Sequence, residues 1–514
     1  MRASFVIWAL AALLAGACGV AFLHRVMSPD MVAVSFAEGG DDAYYFFTVA
    51  RNIAQGKGIT IDGVHWTTGF QPLWGFVCAL PFLAGSDRAA LFVIYLISLA
   101  LWLTGALLFV RLLRRASITP VPATAVALVV VVFLGETQFL RGYFNGMETG
   151  LYLDCLLLLL IAFHDYLAVP ADRVSLRRVA ALGGLAGLTM LARNDALFVC
   201  GALLATTLFF GRRRTPVRDI AIVISIGSAM VLPWLIYCQW ASGNPLPQSG
   251  IATSVAVRGY VPLKNILGKI VASIDPIGFL KIRAVIDDHL FIAAAATAIV
   301  AIALAFCWRR DRPLLTRPGT CVLAALAVGT ACLLLYYPLV SSAGQFFERY
   351  FLPLKLLIFL LVAMLVARML AQPRWPTVAN IVIVTVAAAT VGSNLYWISR
   401  DYGRPYLSHM GPETYDIVRS RYATDNSRIG MAESGRIAFL YPTRVVNLDG
   451  KMNVEALRAV LSGTLDRYIQ SANLDYLMLH IEDVGYFDKT MPTWRNSWQP
   501  RGKIGEFDVF GKTP

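Results

Sequence analysis

The sequence predicts an α-helical polytopic membrane protein with about 11 transmembrane helices and a small C-terminal α/β domain outside the membrane. Three observations predict it. Of 514 residues, 57% are hydrophobic and only 15% charged, with a mean hydropathy of +0.62, a balance that soluble globular chains do not show. Apolar windows of roughly 20 residues, the length that crosses a bilayer as a helix, recur up to about residue 397. From about Arg400 charged residues become frequent and apolar runs shrink to strand length.

The first window, about 5–27, contains Phe5 to Phe22. It is long enough to span and no basic pair precedes it, so it reads as an uncleaved first span rather than a signal peptide, although Ala15-Gly16-Ala17-Cys18 faintly resembles a lipobox. Further spans fall at about 89–110, 120–135 and 148–168. A tight pair at about 178–192 and 196–211 is broken by Arg193-Asn194-Asp195. The remaining spans are about 219–240, 289–308, 319–340, 350–369 and 377–397.

The net charge of +13 does not form a nucleic-acid face. Arginine clusters lie between spans, at Arg111 to Arg115, Arg173 to Arg178, Arg212 to Arg218, Arg309 to Arg317 and Arg368 to Arg374. This is the positive-inside pattern. It predicts a cytoplasmic N-terminus, with the loops at 28–88, 136–147, 241–288 and 341–349 and the C-terminal part on the other side. Membrane lipids are the expected surroundings and nucleic acid is not an expected partner. Gly69 to Gly85 is apolar but short, and a full crossing there would put the Arg111 cluster outside, so it reads as half-inserted. The loop at 241–288 reads as amphipathic helices on the membrane surface.

The division is therefore 1–399 for the transmembrane domain, with its first outer loop at 28–88, and 400–514 for a soluble extracytoplasmic α/β domain. In the latter, a helix-like segment is expected over Glu413 to Tyr422 and a helix over Val454 to Ala472. Strands are expected at Arg428 to Leu440, Arg444 to Leu448, Tyr476 to Ile481 and Glu506 to Phe510. None of the eight cysteines lies after Cys332, so this domain has no disulfide framework.

The first outer loop gathers the chemistry. It holds Asp41, Asp42, Tyr44, Arg51, Lys57, His65, Thr67, Thr68 and Gln71. One Asp suffices to start a helix, so an adjacent pair is either a generous cap or a site. His65 reads as a loop hydrogen-bonder before a metal ligand, since no other His or Cys stands at ligand spacing. Neither a Walker loop nor a dinucleotide fingerprint is present. Charges also flank spans at Arg141 and Glu148, at Arg193 and Asp195, and at Glu348 and Arg349. At such depth they are costly unless paired or facing a wet cavity, so each is an anchor, a cap or a site residue. Asp449-Gly450 reads as a turn ending a strand or as part of a site.

Taken in order, DDAYYFFTVARNIAQGKG, TTGFQPLW, GMETGLY, LARNDAL, GNPLPQSG, FERYFLP and RVVNLDGKMN, from about residue 41 to 453, resemble the GT-C superfamily of membrane glycosyltransferases. The resemblance is to bacterial members near the arabinofuranosyltransferases and the protein mannosyltransferase-like enzymes. It implies a GT-C-like fold, a polyprenyl-phosphate-linked sugar donor, and inverting transfer to a lipid, glycan or protein acceptor at the outer face of a bacterial inner (plasma) membrane. It also implies that an acidic residue of the first outer loop is the general base; Asp41, at the first position, is expected to be that base, and Asp42, at the second, to support it or hold a metal. An acceptor hydroxyl must lose a proton as it attacks, and two close carboxylates raise one another's pKa. A divalent cation (Mg2+, Mn2+ or Ca2+) shared by Asp41 and Asp42 is the other option.

Arg349 matches the family's basic position before a Tyr and a Pro, with Arg141 and Arg193 as further candidates for the donor phosphate, whose departing charge needs cations. Gln71 stands where the aminoarabinose transferases have a Lys, a departure that puts a phosphate role there in doubt. Tyr44, His65, Gln71, Glu148, Glu433 and Asp449 are expected to contact donor or acceptor. A transporter or flippase of a lipid-linked sugar would want repeated halves around a midplane site, and no repeat is present. A lipid-diphosphate-dependent polymerase or ligase is the third reading.

Overall fold

The computed structural model describes residues 2–27, 40–170, 173–210, 216–256, 316–337, 348–371, 376–401, 417–422 and 427–513. In chain order the membrane part comprises α1 (Arg2–Val26), α2 (Asp41–Ala54), α3 (Pro72–Phe82), α4 (Asp87–Ala116), α5 (Ala123–Gly135), α6 (Thr137–Phe144) and α7 (Thr149–Ala168). It continues with α8 (Leu176–Ala192), α9 (Ala196–Phe210), α10 (Pro216–Ser242), α11 (Gln248–Ala256) and α12 (Arg317–Tyr336). A 3-10 turn (Glu348–Phe351) leads into α13 (Leu352–Ala371), and α14 (Pro376–Asp401) follows.

Among the described residues, seven helices are long and apolar enough to cross a membrane, or eight if α5 and α6 count as one bent span. The protein is a multi-pass membrane protein. The expected span at 289–308 lies outside the described residues. Gly69 to Gly85 holds only the 11-residue α3, too short to cross.

One expectation is corrected. Residues 136–147 are not a plain loop, because α6 continues from α5 after a 57° bend. Glu136 makes the bend: its carboxylate accepts from the Phe139 N–H at 2.8 Å, starting the second helix. The same carboxylate pairs with Lys355 of α13 at 2.9 Å, both side chains being fully buried. Elsewhere small residues let helices approach. Gly183 and Gly187 of α8 lie against Val223, Gly227 and Met230 of α10, where an added Cβ would make tight contacts, as membrane helix pairs often do.

The C-terminal part holds β1 (Ile429–Met431), α15 (Gly435–Leu440), β2 (Val445–Asn447), α16 (Val454–Ser462), α17 (Leu465–Ser471), β3 (Tyr476–His480), α18 (Ile481–Thr490), β4 (Trp498–Ile504) and β5 (Phe507–Lys512). The sheet order is β2-β1-β3-β5-β4. β1 runs parallel to β2 and β3, while β5 is antiparallel to β3 and β4.

Three expectations are corrected here. The strand expected at 428–440 ends at Met431, because the chain turns into α15. The helix expected over 454–472 is two helices, broken at Gly463 with its positive φ of 69°. The segment expected as a helix over 413–422 is described only from residue 417, where it forms a short π turn.

Candidate active site

The acidic pair opens α2, where negative charge suits the helix dipole. The next ten residues of α2 are buried, so the helix is fixed and the pair is carried on a rigid element. Its two carboxylates have different partners. Asp41 accepts from the backbone N–H groups of Gly435 and Arg436, each at 2.9 Å. It thereby caps the start of α15 and docks the C-terminal domain on the membrane domain. A Cβ on Gly435 would lie 2.1 Å from the Asp41 carbonyl oxygen, so only glycine allows this approach. Burial pushes the Asp41 carboxyl up, opposed by those two N–H groups and the Arg436 charge.

Asp42 turns the other way. Its Oδ2 accepts from Arg349 at 3.1 Å, and 39% of its side chain is exposed. Burial raises its carboxyl pKa, but the charges of Arg349 and Lys451 outweigh burial and hold it below the usual carboxylate range. Arg349 sits in the 3-10 turn at the head of α13. Its guanidinium also touches the Met147 sulfur at 2.9 Å and stands 5.5 Å from the centre of the Tyr350 ring.

The same Tyr350 ring lies 5.4 Å from the Arg193 guanidinium. Arg193 pairs with Glu148 at 2.9 Å and with Asp195 at 2.7 Å, and Tyr337 donates to Asp195 at 2.6 Å. Arg193 and Glu148 therefore neutralise one another in a buried network directly behind Arg349. Arg141 is exposed on α6 and forms no ion pair among the described residues.

The C-terminal domain supplies the third wall. β1, β2 and β3 are parallel, and their carboxyl ends carry Glu433, then Asp449 and Lys451, then Asp483. This is the end of a parallel sheet at which open α/β sheets bind ligands. Lys451 Nζ lies 3.5 Å from Asp449 Oδ2, and the Lys451 N–H donates to Asp449 Oδ1 at 2.8 Å. The Asp449 charge holds the Lys451 ammonium above its ordinary pKa against burial, with Asp42 and Glu433 adding to it. Burial raises the Asp449 carboxyl, opposed by Lys451. Burial, with the nearby Asp449 charge, pushes Asp483 up to about 6.

A buried glutamine holds this loop in place. Gln248 Oε1 accepts from the Thr68 N–H at 2.8 Å, and its Nε2 donates to the Gly450 carbonyl at 2.9 Å. The first outer loop, α11 and the Asp449-Gly450-Lys451 turn are thus tied together. A Cβ on Gly69 would lie 1.8 Å from the Lys451 carbonyl oxygen, so the two loops touch backbone to backbone.

Several expected residues fall elsewhere. Tyr44 is fully buried, packed edge-on to Phe47 and Phe439 at 5.2 and 5.3 Å, and cannot reach a substrate. His65 pairs with Asp62 at 2.5 Å and with Glu455 at 3.3 Å, in a separate group beside Tyr468. Gln71 immediately precedes α3, and its Oε1 is buried without a hydrogen-bond partner.

A divalent cation fits the acidic pair poorly. Both oxygens of Asp41 accept backbone N–H groups, and Asp42 is paired with Arg349. Among the described residues no three His, Cys, Asp or Glu side chains converge as a metal site.

Two residues went unread in the sequence. Lys451 stands two residues after Asp449, in a turn that closes a strand; the signal was its place at the end of a parallel strand. Gln248 lies in GNPLPQSG and carries no charge to mark it.

No protein-family model matches the chain, and no curated protein matches it in sequence. Solved structures do match. ArnT from Cupriavidus metallidurans bound to undecaprenyl phosphate superposes with a TM-score of 0.57 at 12% identity, covering 98% of both chains. Its apo state gives 0.54 at 12% identity, covering 93% of this chain and 94% of that one. The archaeal oligosaccharyltransferase AglB from Archaeoglobus fulgidus, in complex with an inhibitory peptide and a dolichol-phosphate, gives 0.55 at 11% identity, covering 99% of this chain and 74% of that one. The helical bundle with its docked C-terminal sheet therefore shares the fold of ArnT and AglB.

Proposed function

We propose that the protein is an inverting glycosyltransferase, which moves a sugar from a polyprenyl-phosphate donor to an acceptor hydroxyl on the extracytoplasmic face of a bacterial plasma membrane. One observation carries this reading. Asp42, half-exposed on the helical bundle, faces Arg349 from the membrane domain and feels the charge of Lys451 from the C-terminal domain. A carboxylate between two cations suits a reaction that takes up one proton and expels one phosphate. The solved structures of the same fold that hold undecaprenyl phosphate and dolichol-phosphate support the donor class.

In this reading the donor phosphate competes with Asp42 for Arg349, and Lys451 meets it from the other side. As the bond from anomeric carbon to phosphate oxygen breaks, negative charge grows on the phosphate, and the two cations stabilise it. The acceptor oxygen attacks the opposite face of the sugar, and its proton passes to Asp42. Loss of Arg349 to the phosphate returns basicity to Asp42 when it is needed. Asp41 works one step back, by holding α15 and hence the C-terminal wall. The buried Arg193–Glu148 pair and Tyr350 support the Arg349 turn.

The test is release of polyprenyl phosphate from synthetic polyprenyl-phosphate pentoses and hexoses by the purified protein in detergent. Acceptor-dependent release from at least one donor is expected. A protein that consumes none of them yet moves a lipid-linked sugar across vesicles is a transporter, and one that consumes only lipid diphosphates is a ligase or polymerase.

A further inference from the structure

Two adjoining cavities run along the C-terminal domain, apart from the Asp42–Arg349 pair. The first, of about 450 Å³, lies between the first outer loop and the domain and is lined by Lys57, Asp62, His65, Arg428, Glu455 and Tyr468 among others. The second, also of about 450 Å³, continues over α16 and α17 past Arg458, Ser462, Thr464 and Arg467. They share Glu455, Tyr468 and Ser471, so together they form one elongated groove.

The charge of this groove is lopsided. Asp62 is spent on His65 and on the backbone N–H groups of Val64 and His65. Glu455 lies 3.3 Å from the other imidazole nitrogen. Lys57, Arg428 and Arg467 form no ion pair among the described residues, and Arg458 donates only to the Ala241 carbonyl, at 2.9 Å. The lining is rich in hydroxyls, at Thr443, Tyr468, Ser471, Ser462 and Thr464. The N–H of Val454, at the start of α16, donates to the Trp66 carbonyl at 3.3 Å, and Lys451 lies three residues before Val454.

We propose that this groove binds an extended anionic glycan. Its free cations neutralise carboxylate or phosphate groups on the chain while its hydroxyls take sugar hydroxyls. That this glycan is the acceptor, led by one end to Asp42, rests on the transferase reading; the binding itself does not.

Calorimetric titration of the full-length protein in nanodiscs tests it, with a galacturonate hexamer, its neutral methyl ester, a hexaglutamate peptide and inorganic phosphate as probes. The galacturonate hexamer should bind at least tenfold tighter than the methyl ester. The double variant Arg428→Gln/Arg467→Gln should lose at least tenfold of that affinity, and Lys57→Gln should lose a smaller part. Asp42→Asn should bind the hexamer as wild type does, so a failed transferase reading leaves this result standing. Equal binding of the two hexamers, or full affinity in the double variant, would overturn the proposal. So would hexaglutamate binding as tightly as the galacturonate, or phosphate alone displacing the hexamer at equal concentration, which would mark a site for peptides or for small anions.

Discussion

Asp42 and Arg349 are 307 residues apart in the chain and 3.1 Å apart in space. Three nearby cations are each paired with a carboxylate: Arg349 with Asp42, Lys451 with Asp449, and Arg193 with Glu148 and Asp195. In the proposed reaction a donor phosphate binds here by exchanging partners, which leaves a carboxylate beside the acceptor. Asp41, though adjacent, is already committed to the α15 backbone.

Asp41 should therefore act on stability more than on chemistry. Asp41→Ala removes two charge-assisted caps from α15 and should cost about 0.5–2 kcal/mol of stability. Turnover measured well below the unfolding temperature should stay within about tenfold of wild type, far less than the loss expected for a general base. A collapse of turnover with an unchanged unfolding midpoint would make Asp41 the base instead.

Gly69→Ala should separate the first outer loop from the Lys451 turn. A methyl group there meets the Lys451 carbonyl oxygen at 1.8 Å, a contact that only backbone movement relieves. A loss of about 1–3 kcal/mol is expected, as for overpacking elsewhere, together with weaker donor-phosphate binding as Lys451 shifts. Wild-type stability and donor affinity in this variant would show that the two loops can part without consequence.

The spans were legible because bilayer thickness imposes a single length and composition on them. α1, α4, α7 and α10 lie close to where the apolar windows place them. Asp42 and Arg349 stand out for the same reason in reverse, as charges where charge is costly, and the structure brings them together. Lys451 does not stand out, because a lysine in a polar domain looks like any solvated surface residue until the strand ends are assembled. The sequence puts the base at Asp41, whereas in the structure Asp41 is committed to the α15 backbone and Asp42 faces Arg349. That commitment depends on Gly435 and Arg436, nearly 400 residues away. Tyr44 stands beside the acidic pair in sequence, yet helical spacing turns it to the core.

The bent helix pair offers a membrane-side test. Glu136 and Lys355 form a buried pair at 2.9 Å that fixes α13 against the α5–α6 bend. Either Glu136→Leu or Lys355→Met alone should cost about 3–5 kcal/mol, because the remaining charge is stranded, while the double variant should recover most of that loss. Additive losses in thermal unfolding would argue that the two side chains do not depend on each other.

The His65 bridge gives a pH dependence with a definite sign. Burial works against its charge, but Asp62 and Glu455 outweigh burial and raise its pKa above the ordinary 6.5. A raised folded-state pKa stabilises the fold fully below pH 6.5, and that stability is lost as pH rises through the higher folded value. The unfolding midpoint should therefore fall over that window, and His65→Gln should flatten the fall. An identical slope in the variant would remove His65 from the explanation.

The most direct measurement pairs turnover with lipid-phosphate affinity in Asp42→Asn. Turnover should drop by about 10²–10⁴, the loss expected for a positioned general base. Affinity for undecaprenyl phosphate should rise by about two- to fivefold, because a half-exposed ion pair worth up to about 1 kcal/mol no longer holds Arg349 back. Weaker undecaprenyl-phosphate binding, or wild-type turnover, would contradict the exchange of Arg349 between Asp42 and the donor phosphate.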